Sequence, residues 1–156
     1  MRLTLYTDYC LRVLMYLGLK DSELATIKEI AEQYDISKNH LMKVVYELNR
    51  MGYIETIRGK NGGMRLHRPP ADVNLAELVR RTESDLALVE CFGDSNECRI
   101  TAACELKHVL KDAMDAFFRV LEQYTLEDLL RPRRELAGLL SVQAIPADEI
   151  RPRQSG

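Results

Sequence analysis

Residues 26–66 constrain this chain more than any other stretch. Thr26, with Glu29 three residues on, carries the reciprocal capping pattern that opens a helix, and Ile27, Ile30, Ala31 and Tyr34 give the segment an apolar face at helical spacing. Asp35 and Ile36 break it. Ser37 can then cap a further helix to Met51, with Leu41, Val44, Val45, Leu48 and Met51 as its inward stripe and Gly52 at the position of a left-handed closing residue. Two short strands follow, residues 53–58 and 64–66. They flank Gly59-Lys60-Asn61-Gly62-Gly63, whose Asn-Gly step tolerates the positive φ of a hairpin turn. Two short helices, a tight turn between them and a glycine-tipped hairpin describe a winged helix-turn-helix. Upstream, Tyr6, Cys10, Val13, Leu14 and Leu17 mark an amphipathic helix over residues 6–17 that can cover its core. The expected fold is mainly α with a small β-hairpin wing.

Beyond the wing, Pro69 and Pro70 stop the strand, and residues 75–81 form another short helix capped by Asn74. Residues 84–103 lack periodicity and contain Gly93, Asp94, Ser95 and Asn96, so they are expected to be a loop. From Cys104 the pattern returns: Leu106, Val109, Leu110, Ala113, Phe117, Val120, Leu121 and Tyr124 make a stripe over about six turns. So long a helix has little left in a small domain to pack against, which predicts that it pairs with a second copy of itself in a homodimer. The expected organisation is a winged DNA-binding domain over 1–83, a cysteine-bearing loop over 84–103, a dimerisation helix and its end over 104–130, and a tail over 131–156. Within that tail Pro132, Pro146 and Pro152 recur among charges, and at least the last dozen residues are expected to be mobile.

Charge agrees with the winged module. The net charge of −2 over 156 residues hides a basic block: residues 37–68 carry Lys38, Lys43, Arg50, Arg58, Lys60, Arg65 and Arg68 against Glu47 and Glu55. Such a block in an otherwise acidic chain points to a polyanion; taken alone, a solvated charged face explains it equally well. In a winged module the third helix enters the major groove with its N-terminal residues toward base edges. Here those are Ser37, Lys38, Asn39, His40 and Lys43. Asn39 suits bidentate pairing with adenine, and the lysines suit guanine or phosphate. Arg58, Lys60 and Asn61 at the hairpin tip suit the backbone or minor groove. The competing reading is a helix-hairpin module that makes protein contacts.

Cys91, Cys98 and Cys104 lie within fourteen residues, on a loop that ends at a helix start. Thiolates ligate both zinc and iron–sulfur clusters, and the spacing does not separate the two. Cys104 in the first turn of a helix gains from the dipole that favours thiolate. A fourth ligand can come from His108, one turn on, or from Asp8, whose local role is to offset the dipole of the first helix. Cys10 belongs to an apolar stripe and is expected in the core. No apolar run is long enough to span a bilayer, and residues 1–4 lack the pattern of a secretory leader. The expected compartment is therefore the cytoplasm, with reduced thiols. No nucleophile–base pair, phosphate loop or paired carboxylate suggests an enzyme.

Four stretches carry a resemblance to a known family: residues 3–12 (LTLYTDYCLR), 37–44 (SKNHLMKV), Gly52-Tyr53 and 58–66 (RGKNGGMRL). They resemble the NsrR-type nitric-oxide-sensing repressors, which belong to the winged-helix iron–sulfur regulators that also include IscR. The likeness continues through the three cysteines and Leu106-Lys107 to residues 124–129 (YTLEDL), about 1–130 in all. It implies a homodimeric repressor of operator DNA with one iron–sulfur cluster per subunit, held by Cys91, Cys98 and Cys104 with Asp8 of the partner subunit as fourth ligand. A [4Fe–4S] cluster is implied ahead of [2Fe–2S]. In IscR-type proteins a His three residues after the last Cys completes the site; this chain has Lys107 there. The resemblance further implies that nitric oxide attacks the iron, that the link through Asp8 is lost first, and that DNA is released. A redox or cluster-status regulator of the IscR type, and a zinc- or thiol-based regulator, are the alternatives on the same fold.

Overall fold

The computed structural model describes residues 2–142. Helix α1 (Leu5–Lys20) runs through the middle of the molecule. Thr4 caps it, its Oγ1 accepting from the Thr7 backbone N–H at 3.2 Å, and Asp8 and Lys20 complement the dipole at its two ends. Cys10, Val13, Leu14 and Leu17 are fully buried. The helix extends one residue before and three beyond the span read from the sequence. Its last turn is held from outside by Arg133, whose Nη2 donates to Leu19 O at 3.0 Å.

Helix α2 (Ile27–Tyr34) starts with the anticipated capping box: Glu29 N donates to Thr26 Oγ1 at 3.2 Å and Thr26 N to Glu29 Oε2 at 2.7 Å. Asp35, in the left-handed region at φ 52°, ends it. Helix α3 (Lys38–Arg50) follows at once, with Ser37 Oγ accepting from His40 N at 3.3 Å. Leu41, Val44, Val45 and Leu48 are buried as expected, and Gly52 closes the helix at φ 76°. Strands β1 (Ile54–Ile57) and β2 (Gly63–Leu66) pair antiparallel, Ile54 opposite Leu66 and Ile57 opposite Gly63. The positive φ of the wing falls on Gly59 (118°), not on the Asn61-Gly62 step. Ala25 and Met64 exchange backbone hydrogen bonds of 2.9 and 2.8 Å, lashing the wing to the segment before α2. A Cβ on Gly63 would meet Ala25 O at 2.7 Å, so only glycine permits that approach.

After a 3-10 turn at Pro70–Asp72, helix α4 (Leu75–Thr82) is capped by Asn74, whose Oδ1 accepts from Ala76 N and Glu77 N. The loop beyond it contains two further 3-10 turns, Glu90–Phe92 and Thr101–Ala103. Helix α5 (Glu105–Leu121) is shorter than its apolar periodicity suggests, and Cys104 is its N-cap, not a first-turn residue. The helix stops because the chain beyond it is claimed by α4's approach. Leu75 N donates to Tyr124 O, Leu126 N to Val73 O, and the Asn74 amide to Glu122 O at 2.9 Å. Tyr124 therefore lies outside the helix.

Helix α5 also has a partner within its own chain. Phe118, absent from the anticipated stripe, is buried against Ala76 and Val79 with the Arg80 guanidinium 4.3 Å above its ring, and Met114, Phe117 and Leu121 are half-buried beside it. A neighbouring face of the helix keeps Leu106, Val109 and Val120 exposed. Helix α6 (Leu126–Leu129) brings Leu126 and Leu130 into the same core as α1 and α3, and residues 131–142 are not a tail: helix α7 (Arg133–Leu139) leads to Leu140, buried in that core, with Leu136 and Val142 packed against it. The boundaries at 83 and 130 do not divide the core, because apolar residues on both sides of α5 share one interior. The expected mobility of the last dozen residues concerns positions outside those described.

Candidate nucleic-acid interface and thiol loop

Helix α3 presents Lys38, Asn39, His40 and Lys43 to solvent from its first two turns, where the unpaired N–H groups and the positive end of the dipole also lie. Ser37 is exposed, but its oxygen is committed to capping. The His40 ring packs on Tyr9 of α1, centroids 6.1 Å apart. Arg58, Lys60 and Asn61 stand exposed at the wing tip, beside Gly59.

Of the seven cations in the basic block, three are occupied within the fold. Arg50 pairs with Glu47 at 2.8 Å, Arg65 with Glu55, and Arg68 donates to Gly52 O at 3.1 Å while lying over the Tyr53 ring. Among the described residues, no carboxylate lies within ion-pair reach of Lys38, Lys43, Arg58 or Lys60. The uncommitted positive charge thus sits on the recognition helix and the wing tip, the two places where a winged module meets DNA. Sequence reasoning missed two residues on this face: Met42 and Tyr46 are exposed at 52% and 66%. Their spacing from Asn39 would have found them.

The thiol loop begins at Glu83 and ends at Cys104. Its root is fixed: Glu83 Oε1 accepts from Thr4 N at 2.8 Å and from Thr4 Oγ1 at 3.0 Å, so the cap of α1 and the start of the loop share one carboxylate. Below them Thr7 Oγ1 donates to Thr82 Oγ1 at 2.9 Å, both side chains buried. The three cysteines sit in different local settings. Cys91 lies in the first 3-10 turn. Cys98 precedes the second, its N–H on Asn96 Oδ1 at 3.1 Å and its carbonyl accepting from Thr101 Oγ1 at 2.7 Å. Cys104 is the N-cap residue of α5 and makes no side-chain capping hydrogen bond, which leaves its sulfur free to act as a ligand.

All four cysteines are unpaired. Within one subunit, among the described residues, no group of three His, Cys, Asp or Glu side chains converges tightly enough to hold a metal. Asp8 stands on the exposed side of α1, 2.8 Å from Arg12; His108 is exposed one turn into α5. Cys10 is fully buried, and burial pushes its thiol up to about 12, so it stays a core thiol as expected. The donor set within one subunit is thus three unpaired thiols, Cys98 exposed and Cys91 and Cys104 half-buried, with the Asp8 carboxylate elsewhere on the surface; thiolates are ligands for both zinc and iron–sulfur clusters. No helix among the described residues is long and apolar enough to cross a membrane.

Comparison with known proteins follows the same lines. A family model described as Rrf2, iron-dependent transcriptional regulator, matches residues 3–132. The HTH-type transcriptional regulator NsrR of Bacillus licheniformis is 54% identical over 143 residues, covering 90% of this chain and 100% of that one. That of Bacillus subtilis is 52% identical over 145 residues, covering 92% and 99%. Among solved structures, oxidized CymR of Staphylococcus aureus superposes with a TM-score of 0.69 at 26% identity, over 84% of this chain and 97% of that one. The two NsrR relatives are named transcriptional regulators, in keeping with a chain that is not an enzyme.

Proposed function

The chain belongs to the Rrf2 family of iron-dependent transcriptional regulators, and on that premise we propose that it is a homodimeric cytoplasmic repressor that grips operator DNA while it carries an iron–sulfur cluster, [4Fe–4S] in type, and releases it on exposure to nitric oxide. The observation that carries this reading is the loop from Glu83 to Cys104. It holds three unpaired thiols within fourteen residues, with its root hydrogen-bonded to the cap of the helix that also bears Asp8.

Cys91, Cys98 and Cys104 would hold the cluster, with Asp8 of the partner subunit as the fourth ligand. When bound, the group supplies iron to which nitric oxide adds. The protein's own residues supply the coupling. Cys104 anchors the loop to α5, whose exposed face of Leu106, Val109 and Val120 is the expected seam with the second copy. Asp8, an oxygen donor beside three thiolates, is the weakest ligand of the set, and Arg12 offers it an alternative partner within its own helix. Tyr9, the next residue, touches His40 of the recognition helix, so a change of hold on the first turn of α1 reaches the DNA-reading surface. Two recognition helices are thereby kept at, or released from, the spacing of a two-fold operator.

The test is protein purified without oxygen. It should be coloured, with iron and acid-labile sulfide that Cys91→Ala loses, and it should retain operator DNA until nitric oxide is added. Equal retention before and after nitric oxide overturns the sensing role. Colourless protein containing zinc overturns the cluster.

A further inference from the structure

The recognition helix carries an apolar group where a DNA-reading surface has little use for one. Met42 lies in the second turn of α3, 52% exposed, between Asn39 and Lys43 on one side and Tyr46 on the next turn, itself 66% exposed. The inward stripe of α3 is complete without it: Leu41, Val44, Val45 and Leu48 fill the core. Met42 is therefore not one of the residues that fill the core. Its neighbours Lys38 and Lys43 have no carboxylate within ion-pair reach among the described residues, so the face on which it sits is the positively charged one. Met42 and Tyr46 line a shallow groove with Tyr6, Lys43 and Glu47; the Glu47 carboxylate is held by Arg50 at 2.8 Å, which leaves Lys43 as the unpaired charge beside the apolar pair.

In a DNA major groove every base edge is polar except one: the C5-methyl group of thymine is the sole apolar feature. An unbranched thioether, flexible and polarisable, is suited to cover it. Asn39, one turn earlier on the same face, is the side chain whose amide matches the N6/N7 edge of adenine. Arginine, the commonest reader of guanine, is absent from the first two turns, and Arg50 at the far end is tied to Glu47.

We infer that Met42 is a specificity-determining residue that reads a thymine methyl in each half-site, beside an adenine read by Asn39. This rests on the winged module binding DNA as proposed above and adds the base class that it selects.

The test uses full-length protein purified without oxygen, with duplexes enriched by it from a random pool. Each thymine of the enriched site is replaced in turn by deoxyuridine, which removes only the methyl. Wild type should lose about threefold to fourfold in affinity at one thymine per half-site, the size of one buried methyl. Met42→Ala should be indifferent to that same replacement while binding the site more weakly, and Met42→Leu should restore part of the sensitivity. Because Met42 lies outside the core, the circular dichroism and melting temperature of both variants should match wild type. Deoxyuridine effects that are equal in wild type and Met42→Ala, or absent from both, overturn the inference and leave DNA binding intact. If no sequence is enriched, the DNA-binding reading fails and the inference with it.

Discussion

Thr7 and Thr82 share a 2.9 Å hydrogen bond in the interior, joining the first turn of α1 to the last residue of α4. Thr82 passes its own hydroxyl proton to Leu78 O at 2.9 Å, and Thr7 Oγ1 lies 3.2 Å from Thr4 Oγ1. With Glu83 holding Thr4 directly above, the helix that bears Asp8 and the root of the loop that bears three thiols are one hydrogen-bonded unit.

Replacing one hydroxyl of that pair by an isosteric methyl leaves its neighbour without a full set of partners. Thr82→Val and Thr7→Val should each destabilise the fold by about 1–2 kcal/mol. The double variant should cost less than their sum, because replacing both partners removes the unsatisfied group. A double-mutant cycle by urea denaturation measures the coupling; strict additivity would show that the two hydroxyls do not depend on one another.

Much of this architecture is legible in the sequence because local signals and global packing agree. Thr26 and Glu29 announce α2, Ser37 announces α3, and four of the five expected stripe residues of α3 are buried, Met51 being its half-buried C-cap. What is not legible is non-local. The stop of α5 at Leu121 is set by Asn74, some fifty residues earlier, and the burial of Phe118 by Ala76 and Val79. Residues 131–142 look like a proline-marked tail, yet Leu140 is buried in a core built by α1 and α3, with Leu136 and Val142 packed against it. For the site, spacing identifies the thiols and the exposed cations. It cannot show that Arg50, Arg65 and Arg68 are occupied within the fold.

Glu29 gives the winged module a dependence on acid. Burial pushes its carboxyl up, but the hydrogen bonds from Thr26 N–H and the Lys20 ammonium, the latter at 3.0 Å, outweigh that and leave it below the ordinary range. A folded value below the unfolded one means stability that is fully present above the ordinary glutamate range and is lost as pH falls through the depressed folded value. Glu29→Gln should therefore be less stable than wild type at neutral pH, by about 0.5–1 kcal/mol given the partial exposure of the pair. The gap should close in acid. Thermal melts of both proteins from pH 7 to pH 3 check this, and a gap constant with pH would contradict it.

The two classes of cation in the basic block predict opposite behaviour in salt. Arg58→Ala and Lys60→Ala remove charges that no carboxylate of the described residues engages, so each should lower the slope of log affinity against log salt by about 1 while leaving the melting temperature unchanged. Arg65→Ala removes the partner of Glu55 on the neighbouring strand. It should leave that slope nearly intact and loosen the wing, seen as faster amide exchange in β1 and β2. DNA titrations at several salt concentrations separate the two; a full unit of slope lost on Arg65→Ala would place that residue on phosphate instead.

Helix α5 offers the sharpest test of assembly because its two sides do different things. Phe118 faces α4 and serves the chain's own interior, so Phe118→Ala should cost about 3 kcal/mol of stability in any oligomeric state. Val109 is 61% exposed and Leu106 60%, one turn apart on a face left largely open by the described residues. A charge there is harmless to a lone subunit and intolerable in an apolar seam between two. Val109→Glu should thus leave the helical circular dichroism signal unchanged while sedimentation equilibrium shifts from dimer to monomer. Affinity for a two-half-site operator should fall steeply with it, since each recognition helix must then find its half-site alone. If Val109→Glu sediments as wild type does, the seam lies elsewhere and the exposed face of α5 is ordinary surface.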